Sequence, residues 1–151
     1  LPIYRLAVSA VANLRARDGI YSAELRKWRA NFVTNYTFSG DSRLKGFGIG
    51  GAWRWQDKAA IDYPRIANAS GVFVADITRP FYASSTSQVD LWASYRRPLL
   101  NRKVRWKLQL NVGDVFADDE LIPVTVHSNG TPAMVRLSPP RTWFLTSTFE
   151  Y

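Results

Sequence analysis

The chain of 151 residues has room for one domain, and its lack of cysteine excludes disulfides and thiolate metal sites. No apolar run approaches the roughly 20 residues of a membrane-spanning helix, so helical membrane proteins are excluded as a class. The chain has 20 Lys and Arg against 12 Asp and Glu, and it contains six Trp, seven Tyr and eight Phe. Nucleic-acid-binding proteins share this composition, so the positions of the basic and aromatic residues must decide whether this chain binds nucleic acid.

The first element along the chain is a predicted short helix. Ile3, Leu6, Ala7, Ala10 and Leu14 follow helical spacing, and Gly19 stands where such a helix would end. The opening residues lack the basic and apolar regions of a signal peptide, so we expect either a cytoplasmic chain or a protein whose beginning lies upstream of Leu1.

Five later segments alternate in polarity with a period of two, which predicts β-strands with two chemically different faces. They cover residues 28–38, 47–55, 89–95, 104–112 and 143–151. One set of alternate residues in each segment is uncharged, whereas the other sets together hold Arg29, Arg54, Asp90, Arg105, Lys107 and Glu150. Because the aromatic residues lie mainly opposite the cations rather than between them, we do not expect nucleic-acid binding.

The connections between these strands alternate in length. Residues 39–46 and 96–103 form short links, whereas 56–88 and 113–142 form long ones, the latter with a hairpin predicted at Asn129-Gly130 between 121–126 and 131–137. Short periplasmic turns and long extracellular loops are typical of outer-membrane barrels. Since five strands cannot close with an even strand count, we predict an all-β fold: the C-terminal part, residues 1–151, of an antiparallel transmembrane β-barrel, with the helix in its first outer loop.

The uncharged strand faces are predicted to contact lipid in the bacterial outer membrane, because they carry large aromatic residues near the strand ends. The predicted lipid-facing residues are Trp28, Phe32, Tyr36, Phe47, Ile49, Trp53, Trp55, Leu91, Tyr95, Trp106, Leu108, Leu110, Trp143 and Leu145. A soluble antiparallel sheet also alternates in polarity. The alternative is therefore a soluble antiparallel β-barrel that binds a small hydrophobic ligand.

Several segments resemble the late barrel strands of TonB-dependent outer-membrane receptors. They are Asn31–Phe38, Arg43–Gln56, Asn111-Val-Gly-Asp-Val-Phe116 and the closing segment Pro140–Tyr151, and the resemblance covers residues 28–151. It implies a barrel of about 22 strands with a plugged lumen. It also implies energised uptake of a scarce nutrient such as a siderophore, cobalamin or glycan, and a TonB complex acting through an N-terminal plug region absent from this chain.

Four residues of the last strand are predicted to form the signal for the outer-membrane barrel assembly machinery. Trp143, Leu145, Phe149 and Tyr151 occupy alternate positions counted back from an aromatic last residue, and only Ser147 interrupts the set. Such a strand can be received by pairing with an open strand of the machinery. Lipid and lipopolysaccharide are the other expected partners, since basic residues favour anionic head groups at membrane boundaries.

No catalytic constellation is present, so we expect a protein that is not an enzyme and that needs no cofactor or metal. Asp118, Asp119 and Glu120, in an outer loop, are weak candidates for ligand contact, and a solvated acidic loop is the simpler interpretation. The glycines of Gly46–Gly51 are not followed by the Lys-Ser/Thr of a phosphate-binding loop. They predict instead that another group packs closely against this strand, and the family resemblance implies that this group is the plug.

Overall fold

The computed structural model describes residues 2–20, 22, 24–40, 43–101, 103–127 and 129–151, and it confirms the predicted all-β, antiparallel fold. The described helix is α1 (Pro2–Ala16). The strands are β1 (Arg29–Thr37), β2 (Phe47–Gln56), β3 (Ala59–Asp62), β4 (Arg65–Ala67), β5 (Phe73–Ala75), β6 (Phe81–Ala83), β7 (Thr86–Leu99), β8 (Val104–Gly113), β9 (Leu121–Val126), β10 (Pro132–Leu137) and β11 (Thr142–Glu150). Within the described residues, no helix has the length and apolar character to cross a membrane.

The chain divides into two compact units. Unit 1 comprises Leu1–Trp28, Asp57–Ser85 and Leu121–Leu137, and unit 2 comprises Arg29–Gln56, Thr86–Glu120 and Ser138–Tyr151. The five long strands all belong to unit 2, and the short strands with α1 belong to unit 1.

Unit 2 is one antiparallel sheet with the strand order β1-β2-β7-β8-β11. Four of its strands begin and end within one residue of the predicted bounds, because the period-two alternation runs along their whole length. Strand β7 is longer than the predicted 89–95, since Thr86 pairs with Gln56 at one end and Leu99 with Val104 at the other. Pro98 is tolerated because β7 pairs there with β8 only, and a proline is acceptable where a ladder has a free side.

The sheet is open. Strands β1 and β11 each pair with one neighbour, so each leaves one edge without a strand partner among the described residues. The two short connections join strands at one end of the sheet. Gly46 allows the first of these connections to turn, because it has a positive φ of 90° and an added Cβ would clash with the Arg96 carbonyl oxygen. Asp41, Ser42 and Arg102, in these predicted turns, lie outside the described residues.

Unit 1 contains α1 and three small two-stranded sheets: β3–β6, β4–β5 and β9–β10. The predicted helix and the Asn129-Gly130 hairpin are both present, and Gly19 and Gly130 have the expected positive φ values of 76° and 87°. Asn13 joins α1 to β5, since its Oδ1 accepts a hydrogen bond from the Ala75 amide at 3.2 Å. Ser128, beside the hairpin turn, is outside the described residues.

Buried side chains in unit 1 are few and mostly small: Ala59, Tyr63, Ala75 and Ala83. A buried carboxylate, Asp76, shapes the turn after β5. Its oxygens accept hydrogen bonds from the Thr78 hydroxyl at 2.6 Å and from Arg79 Nε at 2.7 Å. The hydrogen bond from Thr78, followed by that from Arg79, holds the pKa of Asp76 below its ordinary value of 3.8.

Candidate membrane-facing surface

The strand register brings the five uncharged residue sets onto one face of the unit 2 sheet. Phe32 lies opposite Trp53 on the neighbouring strand, and Gly51 lies opposite Leu91. Wherever both paired residues lie in the predicted segments, a residue of one uncharged set pairs with a residue of the uncharged set on the next strand. We call this the apolar face. It carries Phe32, Tyr36, Phe47, Ile49, Trp53, Trp55, Leu91, Tyr95, Trp106, Leu108, Leu110, Trp143, Leu145 and Phe149, while Trp28 and Tyr151 directly adjoin β1 and β11.

Most large side chains on the apolar face stay exposed. Leu145, Phe32 and Trp143 keep 69%, 63% and 62% of their accessible surface. A sheet in a soluble core would cover such side chains with a second layer, because burying each one stabilises a fold in water by about 1.5–3 kcal/mol. Contiguous exposed apolar area of this kind marks a surface that meets a protein or a membrane.

Aromatic residues of the apolar face are concentrated on either side of a mainly aliphatic central row. The central row runs across the strands as Tyr36, Ile49, Ala93, Leu110 and Leu145. Aromatic residues lie on both sides of it: Phe32, Trp53 and Trp55 toward the long connections, and Phe47, Tyr95, Trp106 and Phe149 toward the short ones.

The spacing of these two aromatic levels matches a membrane barrel. Trp55 and Phe47 are eight positions apart on β2, about 27 Å at 3.4 Å per residue. A strand tilted by about 40° would span roughly 21 Å of bilayer with that length, close to the ≈25 Å apolar band of outer-membrane barrels. Between the levels, Thr34, Gly51 and Ala93 leave a shallow apolar groove of about 520 Å³.

The aromatic level near the short connections is a contiguous cluster. The Phe47 and Tyr95 rings lie 4.5 Å apart, and Tyr95 meets Trp106 edge-on at 6.3 Å between centroids. These separations fall in the range in which aromatic pairs add stability beyond the area they bury. The cluster therefore forms a continuous aromatic belt at one end of the apolar face.

Two tryptophans of the apolar face satisfy their indole N–H groups within the sheet. Trp53 Nε1 donates to Ser87 Oγ and Trp106 Nε1 donates to Ser147 Oγ, each at 2.9 Å. In an apolar medium an unpaired donor costs several kcal/mol, whereas exposed indoles in water need no protein partner. Ser147, which interrupts the apolar sequence pattern, thus serves as the hydrogen-bond acceptor for the Trp106 indole.

The opposite face carries charged and amide side chains, several of which pair with one another, together with the apolar residues Val33, Trp92 and Phe144. Arg54 forms an ion pair with Asp90 at 2.6 Å, and the other Asp90 oxygen accepts a hydrogen bond from the Asp114 amide at 2.9 Å. Asp114 has a positive φ of 49°, so Asp90 holds the backbone in a conformation that few side chains adopt where β8 ends. Gln109 donates to Asn111 at 2.7 Å.

The glycine run of β2 is packed against this chain's own side chains. An added Cβ at Gly50 would clash with the Trp92 indole, which faces it across the strand pair and donates to Asn35 Oδ1 at 3.1 Å. Gly51 lies on the apolar face, with Leu91 Cδ2 2.9 Å from its Cβ position. Within the described residues, Trp92 therefore fills the space above Gly50 that was expected to receive a plug. A large side chain covering a strand glycine is a known stabilising device.

The weak ligand candidates Asp118, Asp119 and Glu120 are exposed in the segment after β8. The Glu120 amide donates to the Asp118 carbonyl at 2.8 Å, and Ser138 Oγ hydrogen-bonds to the same carbonyl. Among the described residues, no group of three or more His, Asp or Glu side chains is arranged to hold a metal ion. A role of these three residues in ligand binding remains a prediction.

Comparisons with known proteins give one distant likeness. No family model and no curated protein matches the chain. A solved structure of P. aeruginosa FpvA bound to a heterologous pyoverdine is similar at 21% identity and a TM-score of 0.47, covering 79% of this chain. The likeness spans 13% of that protein's chain, and at this distance it assigns neither family nor function.

Proposed function

We propose that the chain is a wall segment of a β-barrel in a bacterial outer membrane. The observation that carries this proposal is the apolar face, which is mostly exposed, uncharged along the predicted strand segments, and mainly aliphatic between two aromatic levels. The opposite face carries the charged residues of the predicted strand segments, and Arg54 with Asp90 and Arg105 with Glu150 form ion pairs there, as the wall of a water-filled lumen would allow.

The open edges of the sheet support the same proposal. Five antiparallel strands make β1 and β11 run in the same direction, so these edges cannot close antiparallel onto each other. An odd number of further strands would have to lie between them to complete an antiparallel barrel with an even strand count. Unpaired edges are otherwise sites of aggregation.

The soluble alternative requires the apolar face to enclose a ligand cavity. The described strands instead form an open sheet, and the groove on the apolar face is shallow. The two internally paired indoles on that face also favour surroundings that supply no hydrogen bonds. These features make lipid the better match for the apolar face.

The finer function rests on the resemblance of several segments to TonB-dependent receptors. This finer function comprises nutrient uptake energised by a TonB complex, pairing of β11 with the barrel assembly machinery, and contact with lipopolysaccharide. The barrel wall itself requires neither enzymatic activity nor a cofactor. Trp143, Leu145 and Phe149 alternate on β11, whose outer edge has no strand partner among the described residues, as strand reception requires.

Quenching by brominated lipid tests which face meets the membrane. Single-tryptophan variants of the full-length protein, retaining either Trp106 or Trp92, are folded into vesicles whose acyl chains carry bromine. These tryptophans lie on opposite faces of adjacent strands, so each controls for the other. We expect strong quenching of Trp106 and weak quenching of Trp92. Equal quenching, or stronger quenching of Trp92, would overturn the proposal.

A further inference from the structure

The sheet end that carries the short connections is rich in cations. The described residues of 39–46, 96–107 and 148–151 contain the basic residues Arg43, Lys45, Arg96, Arg97, Lys103, Arg105 and Lys107, against Glu150 as their acidic residue. Toward the other end of the same sheet, the segment after β8 contains Asp118, Asp119 and Glu120. Unit 2 is therefore strongly polarised along its strands.

Three of these cations converge on the polar face. Arg96 on β7 lies directly opposite Lys107 on β8, and Arg105 is two residues before Lys107 on the same strand. Directly opposed side chains have Cβ atoms about 4.5–5.5 Å apart, and positions two apart on a strand are about 7 Å apart. We call Arg96, Arg105 and Lys107 the cationic cluster. Together with Arg97, Pro98 and Glu150 it lines a pocket of about 490 Å³.

Internal pairing leaves the cationic cluster with excess positive charge. Glu150 approaches Arg105 at 3.5 Å, and both side chains remain largely exposed. Arg96 and Lys107 form no ion pair or hydrogen bond through their side chains with the other described residues. The position on β11 opposite Lys107 holds Thr148, which carries no compensating charge. Like charges directly opposed across a strand pair destabilise a sheet, so this arrangement favours an anion that bridges them.

We propose that the cationic cluster is a binding site for phosphate groups. A guanidinium presents a planar fork that matches two phosphate oxygens, and a lysine adds a compact positive charge. Arg96 and Lys107, facing each other, supply both kinds of donor to one anion, and Arg105 extends the site along the strand. The multiple charges of a phosphomonoester or diphosphate offset more of the excess charge than a single carboxylate does. This site depends on the sheet register and is independent of whether the apolar face meets lipid.

Titration with pyrophosphate tests the site. The full-length protein in a zwitterionic detergent is titrated by calorimetry at low ionic strength, and its folded state is checked for each variant by heat-modifiable gel mobility. We expect saturable binding that Lys107→Gln and Arg96→Gln each weaken by about tenfold, as for the loss of one charge-assisted contact. Arg29→Gln is the matched control, because Arg29 lies on the same face at the opposite end of the sheet.

A second arm distinguishes a soluble phosphate from a lipid head group. Binding of the protein to vesicles of phosphatidylcholine is compared with binding to vesicles that also contain phosphatidylglycerol, using the same variants. Pyrophosphate binding that depends on the cluster assigns the site to a soluble phosphate compound. A cluster-dependent preference confined to phosphatidylglycerol vesicles assigns it to a lipid phosphate. The proposal is overturned if neither probe binds saturably, or if Arg29→Gln weakens binding as much as Lys107→Gln.

Discussion

Placing an arginine at the centre of the apolar face tests the membrane proposal at its most sensitive point. Leu110 lies in the central row, four positions along β8 from Trp106, while Ile49 of the same row lies four positions along β2 from Trp53. At about 3.4 Å per residue and a tilt near 40°, Trp106 and Trp53 each lie roughly 10 Å from this row along the bilayer normal, on opposite sides of it. Leu110 is therefore expected at the bilayer midplane.

We expect Leu110→Arg to cost about 2–4 kcal/mol of folding free energy, as arginine does at the midplane of outer-membrane barrels. Since each 1.4 kcal/mol is tenfold, the ratio of folded to unfolded protein should fall by about 30- to 700-fold. Gln109→Arg, one residue away on the polar face, should cost only about 0.6 kcal/mol through repulsion by Lys107 at about 7 Å in water.

A third variant separates lipid from a buried protein core. Val89 pairs with Trp53 at one aromatic level, so Val89→Arg should cost about 0–1 kcal/mol if the level lies at the membrane interface. The assay is the urea dependence of folding into lipid vesicles, followed by tryptophan fluorescence with heat-modifiable mobility as a second probe. Equal losses for Leu110→Arg and Gln109→Arg would refute the assignment of faces. Equal losses for Leu110→Arg and Val89→Arg would refute the depth assignment and favour a protein core.

The remaining predictions concern three separate features. Ser147→Ala should destabilise the vesicle-folded protein by about 1 kcal/mol by leaving the Trp106 indole N–H unpaired. In the Trp106→Phe background the same serine substitution should cost little in the same urea assay, and an effect of equal size in both backgrounds would contradict the hydrogen-bond role. The pKa of Asp76 is lowered, first by the Thr78 hydrogen bond, so its stabilising effect is present above pH 3.8 and lost as pH falls through the lower folded-state pKa. Hydrogen-exchange protection in residues 64–80, taken relative to the intrinsic exchange rate at each pH, should therefore fall in this acid range, and a profile unchanged by Asp76→Asn would argue against this linkage. Deleting Tyr151, or adding a short charged tail after it, should reduce heat-modifiable barrel in the outer membrane, whereas normal assembly of both variants would remove the signal role of the last strand.

The period-two pattern predicted the long strands well, because alternation of polarity is a direct consequence of strand geometry. It failed at the ends of β7. Residues 86–88 are all polar and 96–99 begin with two arginines, so neither end alternates, yet both are paired through the backbone. Backbone pairing continues wherever a neighbouring strand offers partners, and single-strand patterns carry no information about that neighbour.

The four short strands β3 to β6 were missed for a different reason. Each has three or four residues, too few to establish a period, and Pro64 and Pro80 mark the surrounding segment as a loop. Their pairing makes the long connection a set of small sheets rather than an irregular loop. Gly19 and Gly130, by contrast, were informative singly, because a positive φ favours glycine at defined turn positions.

The contact between Trp92 and Gly50 depends on register, which a sequence pattern does not specify. The glycines on β2 indicate close packing, but a shift of one residue in the β2–β7 pairing would place a different side chain over Gly50. Only the observed register identifies Trp92 as the residue that covers it. The plug expected from the family resemblance is thus unnecessary to explain these glycines.

Ser87 and Ser147 are polar residues on the apolar face, and their hydrogen bonds support the membrane interpretation of that face. On the sequence, Ser147 interrupts an otherwise apolar set, and Ser87 lies in the polar residues just before the predicted segment 89–95. On the sheet, each accepts a hydrogen bond from an indole on the apolar face, at the two opposite aromatic levels. In water these hydroxyls would add little, since solvent satisfies an exposed indole. At the edge of a bilayer they let Trp53 and Trp106 keep their rings against lipid with the N–H satisfied, which supports placing both aromatic levels at membrane boundaries.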